Sequence, residues 1–433
     1  MYRICSTAEA NVGMRYYLSG ADGTGGRIKV EPEDFIVREI SKRPDECADG
    51  KFAIADVTSR NWETNRLVRM MSRSMGISRE RIGFAGTKDK RAVTTQLMSF
   101  EVPDGTLSKI DLKDVSIDNA YRAKRGIQIG DLIGNGFSIT VKECAIPKER
   151  ISSAIGSVTA DINAMKGFPN YFGVQRFGTS RPITHLVGER LVRGDARGAV
   201  DVYLSKLSEH ERPDTAEARK LLADRSDLKE AIRTMPDTMS FEKIMAEHLA
   251  AHPDDDTGAI SRLPVNLQMM FTHAYQSYLF NVMLSRRMEF GIPLNRPVEG
   301  DVVIPVDGNR TPMQERPITV TAKNIDLVER QVRSGKAFIT ITLFGTESVI
   351  GGGTMGEIER SVIEDEKLTN EDFMITGLPH CSSKGSRREI ICPVNDMRVS
   401  VADDGYTIAF SLSKGNYATC LLREYMKAEM ISY

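Results

Sequence analysis

The chain has 433 residues, 41% of them hydrophobic, and single cores stop growing near roughly 250 to 300 residues, so two domains are expected. A formal net charge of -1 excludes a uniformly basic nucleic-acid binder but not one positive face balanced elsewhere, for instance by the acidic run at 254–256. No apolar stretch of about 20 residues and no secretory leader pattern occurs; the cysteines (Cys5, Cys47, Cys144, Cys381, Cys392, Cys420) form no CxxC pair, so a reduced, cytoplasmic protein without a metal site is expected.

In chain order, GADGTGGRIK (20–29) has the glycine density of a phosphate loop but lacks the G-K-[ST] ending, so no nucleoside triphosphate site is expected. IKVEPEDFIVREI then reads as a strand, a turn at Pro32 and Glu33, and a second strand. A helix is expected from near Asn61, with Met71 and Met75 four residues apart on a core face.

GFAGTKDKRAVTTQ (83–96) follows. Gly83 and Gly86 bracket Phe84 and Ala85, so a short apolar strand ends at a turn and Thr87 to Arg91 present their side chains. Asp89 lies between Lys88 and Lys90, with Arg91 next and Arg81 upstream. In a pocket, these cations keep Asp89 ionised by charge pairing when substrate displaces water. An ionised carboxylate can then act as nucleophile or base. The same cations disfavour magnesium, since no second acid lies between Arg81 and Phe100, and they attract phosphates. The plainer alternative is a solvated hairpin loop with surface ion pairs.

GIQIGDLIGNGFSITVK (126–142) reads as a loop and then an exposed strand in which Phe137, Ile139 and Val141 alternate with polar residues; Arg122, Lys124 and Arg125 before it form either a phosphate-contacting patch or a solvated surface. In NYFGVQRFG (170–178) the Asn170 amide can pair with a base or ribose, and Gln175 and Arg176 add donors. Tyr171 and Phe172 would face opposite sides of a strand, so at most one points into a site, where a ring can stack on a base or fill the gap of an extruded one. Alternatively both rings are core.

Residues 196 to 258 read as helical and charged, with a new helix beyond Pro213, and Ala274 to Phe290 as a helix burying Tyr275, Leu279 and Met283 against a sheet. Strand character returns over 297–345. Gly351 to Gly353 with Gly356 reads as a loop, and KGSRR (384–388), containing Arg387, as a second basic patch where Gly385 lets a phosphate approach the backbone. IICPVNDMRVS and YTIAFSLS read as strands before a final helix from Leu421 to Met430.

The strings KVEPEDFIVREI (29–40), GFAGTKDKRAVTTQ, NYFGVQRFG, AYQSYLFN (274–281), GSRR (385–388) and NYATCLLREYM (416–426), in this order and spacing, resemble the TruD family of tRNA pseudouridine synthases, nearer its archaeal and eukaryotic branch than the shorter bacterial one. The resemblance implies an α+β fold: a pseudouridine synthase catalytic domain with a mixed, mainly antiparallel sheet (1–195 and 386–433), interrupted by a large inserted α+β TruD-specific domain (196–385). It implies cofactor-free isomerisation of uridine to pseudouridine in tRNA, at position 13, with no DNA, membrane or obligate protein partner. Asp89 matches the catalytic aspartate, Phe172 the aromatic packed against the target base, Asn170 an active-site asparagine, and Lys29 a basic residue that approaches the carboxylate. Lys88, Arg91, Arg176 and Arg387 complete the expected substrate contacts.

Three routes fit a carboxylate: attack at C1′, abstraction of the C2′ proton to give a glycal, or addition to C6. The residues do not choose among them. A noncatalytic RNA-binding protein would have no need of Asp89 in its cationic turn, and a methyltransferase would show a glycine-rich cofactor loop after its first strand, of which there is no clear example.

Overall fold

The computed structural model describes residues 2–225, 227–307, 311–402 and 405–433. They form two compact units, one of residues 22–160, 393–428 and 432–433, the other of residues 1–21, 161–392 and 429–431.

The first unit is built on a nine-stranded sheet. Its main path runs Asn395–Ala402, Gly405–Ser413, Leu132–Cys144, Phe35–Ser41, Val93–Phe100, Phe52–Arg60, Val115–Ala123. Among the described residues the one parallel pairing is Phe35–Ser41 with Val93–Phe100, where Ile36 sits opposite Val93. Leu132–Cys144 is an interior strand rather than the exposed one expected: it pairs with Phe35–Ser41 on one side and Gly405–Ser413 on the other. Ile139 and Val141 are fully buried, and Phe137 stacks on Phe410 at 5.2 Å. One of its polar alternate positions bonds within the sheet, Thr140 with Thr407 at 2.9 Å, a pairing the alternating pattern does not reveal.

Two strand edges in this sheet are divided between short neighbours. Along Val93–Phe100, Phe35–Ser41 pairs with residues 93–95 and Ile82–Phe84 with residues 98–100. Along Leu132–Cys144, Phe35–Ser41 pairs as far as Ile139 and Gly25–Arg27 takes over at Lys142. The chain leaves the sheet at both gaps. At one, residues 28–34 cross through the expected turn, a single 3-10 turn at Pro32–Asp34; at the other, residues 85–92 form the turn that carries Asp89. Helix Thr64–Met75 covers the sheet with Leu67, Val68, Met71 and Met75 buried. Glu63 caps its first amide groups and Gly76 ends it in the left-handed region.

The second unit combines helices with a four-stranded antiparallel sheet ordered Ile318–Thr319, Val302–Pro305, Ala337–Leu343, Ser386–Glu389. Its longest helix, Val265–Glu289, buries Tyr275, Leu279 and Met283. Helix Thr184–Val192 approaches it so closely that a Cβ on Gly188 would lie 2.0 Å from the Phe271 carbonyl oxygen. The architecture is the expected α+β one with a mixed, mainly antiparallel sheet. The units divide the chain at 21/22, 160/161, 392/393, 428/429 and 431/432. The reasons are local: Thr184–Val192 belongs to the long helix, Phe168–Pro169 pairs with Ile391–Cys392, and Asn281 donates to the Val12 carbonyl at 3.0 Å.

Arg287, near the end of the long helix, forms a bidentate pair with Asp301 at 2.5 and 2.9 Å, and both side chains are fully buried. Removing one partner leaves an uncompensated buried charge. Asp301→Ala is therefore expected to lower unfolding free energy by about 3 to 5 kcal/mol in urea denaturation.

Candidate active site

The 85–92 turn has little regular structure of its own, so side chains fix it. The Gln96 amide donates to the Gly86 carbonyl at 2.8 Å. The Thr64 hydroxyl accepts from the Lys88 backbone N–H at 2.9 Å and points at the Gln96 Oε1 at 3.4 Å. Lys88 Nζ meets Glu39 Oε2 at 2.5 Å, with the two side chains 6% and 1% exposed. Lys88, expected to meet substrate, is thus turned into the protein and anchors the turn to strand Phe35–Ser41.

Between these anchors Asp89 faces outward, its side chain 55% exposed, and its Oδ2 lies 3.2 Å from the Lys29 Nζ. The sequence had set these residues 60 positions apart; the two gaps in the strand edges bring them together. The Lys29 ammonium also lies 4.2 Å over the Phe35 ring centroid, and its side chain is only 17% exposed. Its backbone is left-handed, with φ 56°, a conformation that costs a non-glycine residue of order 1 to 3 kcal/mol and tends to persist where neighbours over-determine it. One such neighbour is Arg91, whose Nη2 donates to the Lys29 carbonyl at 3.0 Å. Arg91 therefore shapes the turn while its side chain remains exposed.

The other expected residues lie in the second unit. Asn170 is buried, and its amide is engaged at both ends: Oδ1 accepts from Arg388 Nη2 at 2.7 Å and Nδ2 donates to the Glu389 carbonyl at 3.0 Å. Its backbone N–H donates to the Ile390 carbonyl at 2.9 Å. Phe172 is held by Asn281, which accepts from its N–H at 2.8 Å and donates to its carbonyl at 3.1 Å. The Arg388 guanidinium lies 4.2 Å over the Phe172 ring, Arg176 lies 5.8 Å from it, and Phe280 meets it edge-on at 5.5 Å. Tyr171 lies in the core, bonding Ser285 at 3.0 Å, and Phe172 beside it is also buried, 7% exposed; neither belongs to a strand.

Arg387 does not join this group. Its guanidinium binds the buried Glu359 at 2.8 Å, the Thr340 hydroxyl at 3.0 Å and the Val349 carbonyl at 3.1 Å. Arg388, not singled out from the sequence, takes the place beside Phe172. The signal was the strand period, since neighbouring residues in Ser386–Glu389 face opposite sides, but choosing between the two arginines needed the pairing register. The upstream basic patch is likewise engaged internally: Arg122 donates to the Gly50 and Val102 carbonyls at 2.9 and 2.8 Å, and Arg125 pairs with Asp131 at 2.8 Å. Among the described residues, no group of three or more histidine, cysteine, aspartate or glutamate side chains is arranged to hold a metal ion.

The family described as tRNA pseudouridine synthase D (TruD) matches residues 11–425. A Methanococcoides burtonii protein named "Probable tRNA pseudouridine synthase D" is 40% identical over 429 residues, 97% of each chain. A Thermococcus onnurineus protein of the same name is 37% identical over 419 residues, 95% of this chain and 97% of the other. The crystal structure of a Methanosarcina mazei protein assigned to tRNA pseudouridine synthase D (TruD) resembles this one with a TM-score of 0.87 at 39% identity, covering 99% of this chain and 100% of that one.

The two lysines flanking Asp89 separate anchoring from display. Lys88→Met leaves Glu39 charged and buried, so a loss of about 3 to 5 kcal/mol is expected in chemical denaturation. Lys90→Met, at an exposed position, is expected to stay within about 0.5 kcal/mol.

Proposed function

The chain belongs to the TruD family of tRNA pseudouridine synthases, in its archaeal and eukaryotic-type branch, and we propose that it isomerises uridine to pseudouridine at position 13 of tRNA with Asp89 as the catalytic carboxylate. The observation that carries this reading is the Asp89–Lys29 pair at 3.2 Å on an outward-facing turn whose backbone is fixed by buried groups. The carboxylate is presented to a ligand without having to be reorganised at the moment of reaction.

The reaction breaks the N1–C1′ bond, turns the base and joins C5 to C1′; product and substrate have the same atoms. Attack of Asp89 at C1′, removal of the C2′ proton, and addition to C6 all begin from the carboxylate oxygen. In each, Lys29 holds one oxygen of Asp89 in place and balances negative charge near the reacting sugar. Phe172 offers its ring to the uracil, and Arg388 and Arg176 beside it supply positive charge for an RNA phosphate. Asn170, with its amide engaged at both ends, serves as a positioning residue that holds Arg388 against Phe172. Lys88 and Arg91 position the turn, and Arg387 supports the strand that carries Arg388. A uridine within a paired arm has to leave its stack to meet a turn-borne side chain.

Position-resolved detection of pseudouridine in an unmodified tRNA transcript tests the proposal. Product at position 13 is expected with the intact protein and none with Asp89→Asn, while the variant still binds the transcript. Tight binding without product from the intact protein would sink the assignment. Lys29→Met is expected to slow single turnover by at least about tenfold, ~1.4 kcal/mol of barrier, with unfolding midpoint preserved; an unchanged rate removes Lys29 from the mechanism.

Phe172→Leu preserves bulk and removes the aromatic face. A cost of about 1 to 3 kcal/mol in single-turnover efficiency is expected for lost stacking on the base, whereas an unchanged value would reduce Phe172 to a space-filling role.

A further inference from the structure

We propose that a cavity of about 380 Å³ in the second unit binds a single nucleotide of the tRNA other than the uridine that reacts, an inference that rests on reading the chain as a tRNA-modifying enzyme. The floor is one face of the four-stranded sheet. Val302 sits opposite both Thr319 and Thr340, and Thr342, two residues beyond Thr340, sits opposite Arg387. Residues paired in this way share a face. Helix Gly353–Asp365 covers part of that face, where Glu359 accepts from the Thr342 N–H at 3.0 Å and from Arg387 at 2.8 Å.

The helix begins at Gly353, and the segment 348–352 leading into it walls the cavity. This segment is pinned almost residue by residue. Asn370 donates to the Ser348 carbonyl at 3.2 Å, Arg387 to the Val349 carbonyl at 3.1 Å, and the Gly351 N–H donates to Glu359 at 2.8 Å. The Gly352 N–H donates to the Gly300 carbonyl at 3.0 Å. The wall is therefore formed before any ligand arrives, as binding pockets usually are.

Its unused chemistry indicates the ligand. Thr342 lines the cavity and is 1% exposed, yet among the described residues its hydroxyl has no hydrogen-bond partner. Among the described residues the fully enclosed side-chain polar atoms without a partner lie elsewhere, so the Thr342 hydroxyl opens onto the cavity, where a ligand can supply its partner. The Thr319 hydroxyl, at the outer part of the same face, is also unpaired among the described residues. Val349 at the rim is 80% exposed, an aliphatic side chain with no core to join. Lys384 stands at the mouth, 78% exposed, with Glu347 at 2.9 Å.

An apolar ligand leaves the hydroxyls unpaired, and a phosphate alone makes no use of Val302, Ile350 and Pro317 along the walls. A nucleotide uses all three features, with its base between the aliphatic walls, a base edge on Thr342 and its phosphate toward Lys384. The volume lies at the low end of ligand pockets, roughly 300 to 1,000 Å³, and admits one splayed-out base rather than a duplex, the form in which RNA sequence is ordinarily read.

The test uses the full chain with Asp89→Asn as background, so that tRNA binds without turnover. Thr342→Val, close in shape, is expected to weaken binding of the unmodified transcript by roughly five- to tenfold, the scale of one lost hydrogen bond. Thr342→Ser, which keeps the hydroxyl, should stay within about twofold, separating hydroxyl loss from misfolding. A photo-crosslinking residue at Val349 should capture one nucleotide position, not 13, by primer-extension mapping. Unchanged binding by Thr342→Val, or crosslinks scattered along the tRNA, overturns the proposal. So does Thr342-dependent binding of UMP, CMP, AMP or GMP with tRNA affinity unaffected, which reassigns the cavity to a free nucleotide. Absence of pseudouridine from the protein with Asp89 intact, alongside a single Val349 crosslink, sinks the isomerase reading and leaves the pocket.

Discussion

The strand Phe35–Ser41 is the constraint on which the candidate site depends. It fills part of one edge of Leu132–Cys144 and part of one edge of Val93–Phe100, pairing with the latter only through Arg38. Backbone donors and acceptors in a sheet have to be paired, so Gly25–Arg27 and Ile82–Phe84 complete the two edges. The connections that remain cannot lie in the sheet. One carries Lys29 and the other Asp89, and the meeting of these side chains at 3.2 Å follows from how the edges are shared. The same strand supplies Glu39, the buried partner of Lys88, and Phe35, whose ring lies under the Lys29 ammonium.

Several cations of this chain, whose net charge is -1, are used internally. Arg287 is fully buried on Asp301. Arg219 lies between Glu211 and Glu242, Lys88 on Glu39 and Arg387 on Glu359. These pairs cancel within the protein, so the total says little about the field a ligand meets. The acidic run considered as distant surface is partly engaged in the same way: Asp255 caps helix Asp256–Ser261 and binds His248 at 2.8 Å, and Asp256 pairs with Arg225 at 2.7 Å. The cations around Asp89, Lys29 and Arg91, take their positions from the backbone rather than from the count.

Legibility in the sequence followed the range of the forces involved. Local signals were readable: the Pro32 turn, the core face of Met71 and Met75, and the long helix around Tyr275, Leu279 and Met283. The turn carrying Asp89 was readable because glycines and charges mark it directly. Pairings across the chain were not. Nothing near Lys88 announces that Glu39, 49 positions away, will draw it inward, so Lys88 and Lys90 look equivalent until the sheet is assembled. Leu132–Cys144 looked exposed because a polar residue such as Thr140 is satisfied across strands by Thr407, a fact contained in the register and not in the pattern. A two-residue pairing such as Phe168–Pro169 with Ile391–Cys392 likewise has no sequence signature.

The strand Ser386–Glu389 shows how little separates the two sites considered in the second unit. Arg387 and Arg388 are consecutive and chemically identical, so only the pleat distinguishes them. One faces Glu359 and holds the Val349 carbonyl that walls the cavity; the other faces Asn170 and lies on the Phe172 ring. A slip of one residue in the pairing with Ala337–Leu343 would put one arginine in the other's place and bring Ser386 or Glu389 into the position it left, so that either Glu359 or Phe172 loses its guanidinium. The outer edge of this strand is fixed against such a slip by side-chain amides in place of a fifth strand. Gln314 donates to the Arg387 carbonyl at 2.9 Å and accepts from its N–H at 3.2 Å, while Asn170 donates to the Glu389 carbonyl at 3.0 Å. Asn170 thus acts on Phe172 through register as well as through Arg388: the amide that fixes which arginine faces the ring also holds that arginine's guanidinium.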